Sequence, residues 1–243
     1  MGCGWCFFSA RNDPAPQFPD FKYDIYVVNI DGTGLTQLTA TDGGEDHPSW
    51  SPDGKRILFD ADYDGDGFYE IYSMAADGTD LVRLTTGPQN DQFGEYSPDG
   101  EQIAFSSDRN GNWDIYKMDA DGGNQTALTD HDNWDVFPNW SPDGQWIAFV
   151  SLTPGSGESQ VHSMNNEGSD FSKESGGSGY NENPTFSPDG KWIAYQANPA
   201  GHFDIYVKAF HGDYHPYRMF NYPSNELWPS WGITPNPTST APD

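Results

Sequence analysis

A chain of 243 residues suits one large domain or two small ones, and its 37 Asp+Glu against 11 Lys+Arg give a formal charge of −26. That field repels phosphate backbones and anionic membrane surfaces, which argues against nucleic acid and against membrane insertion and leaves divalent cations, basic protein patches and neutral sugars as partners. A hydrophobic fraction of 35%, with 9 Trp, 13 Tyr and 15 Phe, points to a core of aromatic residues and short β-branched runs; no apolar stretch is long enough to span a bilayer.

The opening "MGCGWCFFSA" lacks the basic start and long apolar stretch of a signal peptide. Cys3 and Cys6 form a lone C-x-x-C with neither a second pair for a metal clip nor a βαβ context for redox chemistry, so they read as two thiols beside a first strand. "WCFFSA" at 5–10 then lines up with "QIAFSS" at 102–107, the second strand of a repeating unit. The unit is marked by "SPDG" at 51–54, 97–100, 141–144 and 187–190, in steps of 46, 44 and 46 residues. "DIY" at 24–26, 114–116 and 204–206, "EIY" at 70–72 and a degenerate "QVH" at 160–162 run in phase with it. A fixed period in the mid-forties is the mark of stacked supersecondary units.

Each unit reads as four short strands, as in 93–97, 102–107, 114–120 and 126–129 of the third. The SPDG turn joins the first two, Pro presetting φ and Asp-Gly giving the reversal. Asp-Gly recurs between the third and fourth strands at 31–32, 77–78 and 121–122, replaced by Glu167-Gly168 and His211-Gly212 in the last two units. "LWPSWGI" at 227–233 lines up with a first strand, and "GITP" at 232–235 breaks the turn motif where SPDG would stand. The predicted fold is therefore all-β, a five-bladed β-propeller of four-stranded blades, closed by pairing of the C-terminal strand with the three N-terminal ones. The blades are 5–39 plus 227–233, 46–85, 92–129, 136–175 and 182–220, in a single domain over 1–235 with a flexible tail at 236–243. The competing reading is a fragment of a six- or seven-bladed ring.

The pattern "PSWSPDGKRILF…EIYSMAADG…LVRLT" resembles the TolB-like, WD-repeat-like propeller repeat, also found in dipeptidyl-peptidase-type and tricorn propellers. The resemblance spans roughly residues 5–233 and implies an extracellular or periplasmic binding scaffold. TolB-like propellers usually carry six blades and an added N-terminal domain, and five blades depart from that pattern.

The hairpin loop at 60–69 of blade two reads D-x-D-G-D-G-x-x-E, with Asp62, Asp64, Asp66 and Glu70. It is similar to the calcium loops of FG-GAP and integrin-type propellers, and that resemblance implies Asp62, Asp64, Asp66, the Phe68 carbonyl and Glu70 as ligands of Ca²⁺, with Glu70 standing where the family has Asp. Four carboxylates about 5 Å apart in water repel by roughly 0.8 kcal/mol per pair, and an ion reverses the sign. The corresponding loop of blade three keeps Asp108, Asn110 and Asp114, while "TPGSGESQ" and "NPAGHFD" in blades four and five keep only the glycine, so the turn itself does not demand the acidic set.

Where the innermost strands begin, Glu45, Asp91, Asp135, Asn181 and Glu226 recur, followed two residues later by His47, Phe93, Phe137, Asn183 and Trp228. These positions predict an acidic rim above an aromatic layer at the channel mouth, fit to hold a cation, a basic peptide or a sugar; the alternative is that each acid only caps its turn. No G-x-S-x-G or H-E-x-x-H occurs, and the six histidines are scattered. The expected function is a non-enzymatic, calcium-stabilised scaffold that engages a protein or glycan partner or self-associates. The alternative is a glycoside hydrolase or lyase using Asp91, Asp135 and Glu226.

Overall fold

The structure, a computed structural model, describes residues 23–199, 201–212, 215–219, 225–227 and 229–231, and residues 5–11 by their backbone. The proposed tail, Trp228 and both cysteines except the backbone of Cys6 lie outside this set. Nineteen strands are present among the described residues and no helix. They fall into five antiparallel sheets in strict chain order. Blade one holds β1 (Trp5–Arg11), β2 (Tyr23–Asn29) and β3 (Thr36–Gln37). Blade two holds β4 (Asp46–Trp50), β5 (Arg56–Ala61), β6 (Glu70–Ala75) and β7 (Val82–Arg83). Blade three holds β8 (Asp91–Tyr96), β9 (Gln102–Ser107), β10 (Asp114–Asp119) and β11 (Thr126–Ala127). Blade four holds β12 (Trp134–Trp140), β13 (Trp146–Thr153), β14 (Glu158–Asn165) and β15 (Ser172–Lys173). Blade five holds β16 (Asn181–Phe186), β17 (Trp192–Ala197), β18 (Asp204–Ala209) and β19 (Tyr217–Arg218).

The repeat motif is a set of local hydrogen bonds. In each SPDG turn the Ser hydroxyl donates to the Asp carboxylate, at 2.6–2.8 Å, and accepts the N–H five residues on. The Asp carboxylate also takes the N–H two residues beyond it, and the Gly closes the turn at φ 68–75°. Sequence spacing elsewhere has the same origin. Thr39, Thr85, Thr129 and Ser175 accept the N–H of Ile25, Ile71, Ile115 and Val161, tying each fourth strand to its third. A side chain at Gly122 or Gly168 would meet the carbonyl of Leu84 or Leu128 in the preceding blade at 2.6 or 2.7 Å, so the Asp-Gly and Leu-Thr markers constrain each other across the blade boundary. In blade five the left-handed residue of this turn is His211 (φ 54°).

Hydrophobic cores lie between successive blades. Ile25 and Val27 pack with Ile57, Phe59 and Met74; Leu58 and Ile71, from the opposite face of blade two, pack with Ile103, Phe105 and Met118. Blade three meets blade four through Ile115, Ile147 and Phe149, and blade four meets blade five through Val161, Ile193 and Tyr195. Middle strands are thus buried on both faces, which is why they read as continuous apolar runs instead of alternating ones.

The C-terminal segment takes the place of a further first strand beside blade five. The Glu226 N–H donates to the Phe203 carbonyl at 2.8 Å, as Asp91 does to Tyr69 and Asp135 to Trp113. Trp231 Nε1 donates to the Thr185 carbonyl at 3.1 Å, as Trp140 Nε1 does to Glu95 at 3.2 Å. Of the segment 227–233 expected to pair with β1, residues 228, 232 and 233 lie outside those described; 227 and 229–231 form no strand, so blade one has three strands among the described residues.

Candidate binding site and acidic hairpin

Strands β4, β8, β12 and β16 and the segment at 229–230 surround a central cavity of about 630 Å³. Each of the four strands carries a register shift at the same point, at Asp46/Ser49, Gln92/Glu95, Val136/Asn139 and Glu182/Thr185. At each shift one residue adopts a left-handed backbone: His47 (φ 48°), Phe93 (59°), Phe137 (58°) and Asn183 (52°). A non-glycine residue there is strained by about 1–3 kcal/mol, and that strain is held where these side chains line the cavity. Pro48, Pro138, Pro184 and Pro229 complete a rigid lining. The rings meet in sequence, His47 and Phe93 edge to face with centroids 4.3 Å apart and Phe93 and Phe137 tilted by 53° at 4.2 Å.

Two polar groups support this layer, and sequence reasoning missed both. Asp60, fully buried, lies 3.1 Å from His47 Nδ1 and accepts the Phe93 N–H at 3.1 Å. Burial pulls the imidazole of His47 down, but the hydrogen bond and charge of Asp60 outweigh it and hold His47 above its ordinary value; burial raises the Asp60 carboxyl against the opposing pull of His47. Glu95 lines the cavity, with Asn139 Nδ2 donating to both carboxylate oxygens at 3.1 Å. Burial pushes Glu95 up to about 8. The signal for Glu95 was available as a break in the repeat: it stands where the other inner strands have Ser49, Asn139, Thr185 and Ser230.

The acids expected at the rim sit elsewhere. Glu45, Asp91, Asp135 and Asn181 are fully buried and do not line the cavity. They lie in the joints between blades, where the N–H groups of Glu45, Asp91 and Asp135 hook the carbonyls of Tyr23, Tyr69 and Trp113 at the entrance of the preceding blade's third strand, and the Asn181 N–H reaches Ser159 Oγ. Glu45 accepts the hydroxyls of Thr39 and Thr41. Asp91 pairs with Arg109 Nη2 at 2.9 Å, Asp135 lies 3.1 Å from His131 Nε2, and Asn181 Nδ2 donates to the Ser159 carbonyl at 2.9 Å. Position two residues further on, not the acid itself, faces the channel.

In the blade-two hairpin, one carboxylate oxygen from each of Asp62, Asp64 and Asp66 lies within 4.8 Å of the others. Two oxygens on opposite sides of a Ca²⁺ at about 2.3–2.6 Å stand about 5 Å apart, so the trio fits that ion. Asp62 also accepts the Gly65 and Gly67 N–H groups at 2.8 and 3.0 Å, with both glycines left-handed at φ 73° and 90°; Asp66 accepts the Phe68 N–H. Glu70 is drawn away from the trio. It is fully buried at the start of β6 and pairs with Arg83, whose other nitrogen reaches Asp64 Oδ2 at 2.8 Å. Burial lifts Glu70 to about 7 while Arg83 opposes the rise, and the Arg83 hydrogen bond lowers Asp64. In blade three the counterpart Asp108 accepts from the Asn90 N–H and Nδ2, and Asp114 is buried in a joint.

The sequence pattern of the family described as TolB beta propeller domain matches residues 64–138 and 91–237. TolB from Acinetobacter baumannii has a similar structure, with a TM-score of 0.69 at 24% identity over 85% of this chain and 50% of that one. A putative TolB from Agrobacterium tumefaciens gives 0.64 at 26% identity over 85% of this chain and 71% of that one. Among curated sequences, Dipeptidyl-peptidase 5 of Porphyromonas gingivalis is 44% identical over 50 residues, 18% of this chain and 7% of that protein. The chain thus spans half of the Acinetobacter structure and a small part of the peptidase.

Proposed function

The chain belongs to the TolB beta propeller domain family, and on that premise we propose that it is a non-catalytic scaffold outside the cytoplasm that binds a protein partner at the mouth of its central channel. The observation that carries this is the strained ring of His47, Phe93, Phe137 and Asn183 around a cavity of about 630 Å³. Packed aromatic rings and prolines give a rigid apolar floor that loses little entropy on binding, and Glu95, Asn139 and the His47–Asp60 pair supply a few fixed polar contacts. A short segment of partner chain suits that volume better than a folded surface does. The net charge of −26 favours a basic segment and speeds its arrival. The candidate glycosidase acids Asp91 and Asp135 are buried in the joints, so they offer no carboxyl group to a substrate in the channel.

We further propose that Ca²⁺ binds Asp62, Asp64 and Asp66 and stiffens the blade-two hairpin, with Glu70 committed to Arg83. A peptide-display selection on the calcium-loaded protein tests the binding reading. Selected peptides should bind Phe93→Ala and His47→Ala at least tenfold more weakly, with both variants keeping a cooperative melt. Peptides that bind the variants and the parent equally would refute the channel as the site.

A further inference from the structure

Two residues beyond the strained layer of His47, Phe93, Phe137 and Asn183, a second layer lines the same cavity: Ser49, Glu95, Asn139, Thr185 and Ser230. Four of its members are neutral and one is a carboxylate. An alcohol or an amide closes the layer in the other blades, so the fold does not ask for an acid there. No Lys or Arg lines the cavity, and the imidazole of His47 is engaged by Asp60. Glu95 is thus a partly buried carboxylate in a cavity that supplies no cation to answer it among the described residues.

The carboxylate is also held in place. Asn139 Oδ1 accepts the Phe186 N–H at 3.0 Å, which fixes the amide so that Nδ2 donates to both Glu95 oxygens at 3.1 Å. Trp140 Nε1 anchors the Glu95 carbonyl at 3.2 Å. A carboxylate offers about four acceptor sites, so one amide nitrogen leaves room for further donors on both oxygens. Those sites belong to a group that blades three, four and five hold rigid together.

We propose that the channel recognises a lysine, whose ammonium pairs with Glu95 while its alkyl stem lies along Phe93, Phe137 and the prolines; this inference rests on the channel being the partner site. The layer favours an ammonium over a guanidinium. Arginine places its planar fork on both carboxylate oxygens from one side, and Asn139 Nδ2 already spans that pair. An ammonium is a compact charge with three donors that needs only one free lone pair of Glu95, and the hydroxyls of Ser49, Thr185 and Ser230 line the same cavity as further acceptors. The phenyl faces of Phe93 and Phe137 attract a passing cation, and the hydrocarbon stem covers them once it has passed. A free amino terminus carries the same charge without that stem.

The test takes display-selected peptides that Phe93→Ala weakens, blocks their amino termini and measures them by calorimetry at pH 8.5. There Glu95, pushed up to about 8 by burial, is mostly ionised and lysine is still charged. One lysine should stand out: its replacement by norleucine or by arginine weakens binding to the parent by about tenfold or more, and to Glu95→Gln by less than about twofold. Glu95→Gln keeps an oxygen for Asn139 and stays folded. Channel-binding peptides with no such lysine, a lysine effect that Glu95→Gln leaves unchanged, arginine that serves as well as lysine, or binding that needs a free amino terminus instead would each overturn the lysine and leave the channel standing as the site. Peptides that Phe93→Ala does not weaken, or a selection that enriches none, would overturn both.

Discussion

The joint between blades two and three and the joint between blades four and five solve one geometric problem with opposite chemistry. The first buries Glu70 and Asp91 and answers them with Arg83 and Arg109. The second uses Gln160, which accepts the Ser175 hydroxyl at 2.8 Å, and Asn181, which donates to the Ser159 carbonyl at 2.9 Å. The Asp91 N–H donates to the Tyr69 carbonyl at 2.7 Å and the Asn181 N–H to Ser159 Oγ at 3.1 Å, so the strand entrance is held in both and charge is not what the fold demands at these positions. Charge brings coupling instead, because Arg83 ties Glu70 to Asp64 of the acidic hairpin, whereas the corresponding hairpin in blade four has no such link among the described residues.

The largest expected effect comes from moving the chemistry of one joint into the other. Asn181→Asp replaces a donor with an acceptor facing the Ser159 and Gly179 carbonyls, and at pH 8 it should cost roughly 3–5 kcal/mol by urea denaturation. Next, Arg83→Ala strands the buried Glu70 carboxylate and should cost about 3 kcal/mol at pH 8. Because Glu70 already titrates near 7, that cost should shrink at pH 5.5, where the carboxyl is protonated; an equal loss at both values would mean that Arg83 acts by packing alone.

Chelation is expected to be milder. Removing calcium should lower the melting temperature by about 5 °C, restored by Ca²⁺ in the parent and not in Asp62→Asn. An unchanged melt at free calcium well below micromolar would leave the hairpin held by Arg83 and its own backbone bonds.

A pH effect separates the channel from the joints. Glu95 moves from an ordinary 4.5 to about 8 in the fold, so the native state binds more protons between those values and stability falls as pH rises through that window. His47, held above its ordinary value, adds a term of the same sign that is present below 6.5 and lost as pH rises. Glu95→Gln should flatten most of the slope and leave the histidine part.

The five sheets and their strands were legible because SPDG, DIY and Leu-Thr are the turn and cap hydrogen bonds themselves, repeated in phase. The channel layer of His47, Phe93, Phe137 and Asn183 was legible by offset from the same turns, although the bulge that aims these side chains has no sequence mark of its own. The burial of Asp91 and Asp135 was not, since an acid at a strand entrance looks the same whether it faces water or an arginine eighteen residues away, as Asp91 and Arg109 do. Arg83 was missed for a related reason. Its partners Asp64 and Glu70 lie on another strand and loop, and only the strand register brings them together.

The central claim is that partners enter the channel between the inner strands. Hydrogen exchange with and without a selected peptide tests it most directly. The account predicts slowed exchange in β4, β8, β12 and β16 around His47, Phe93, Phe137 and Asn183, with the outer strands β7, β11, β15 and β19 unchanged. Protection confined to the outer strands would contradict it.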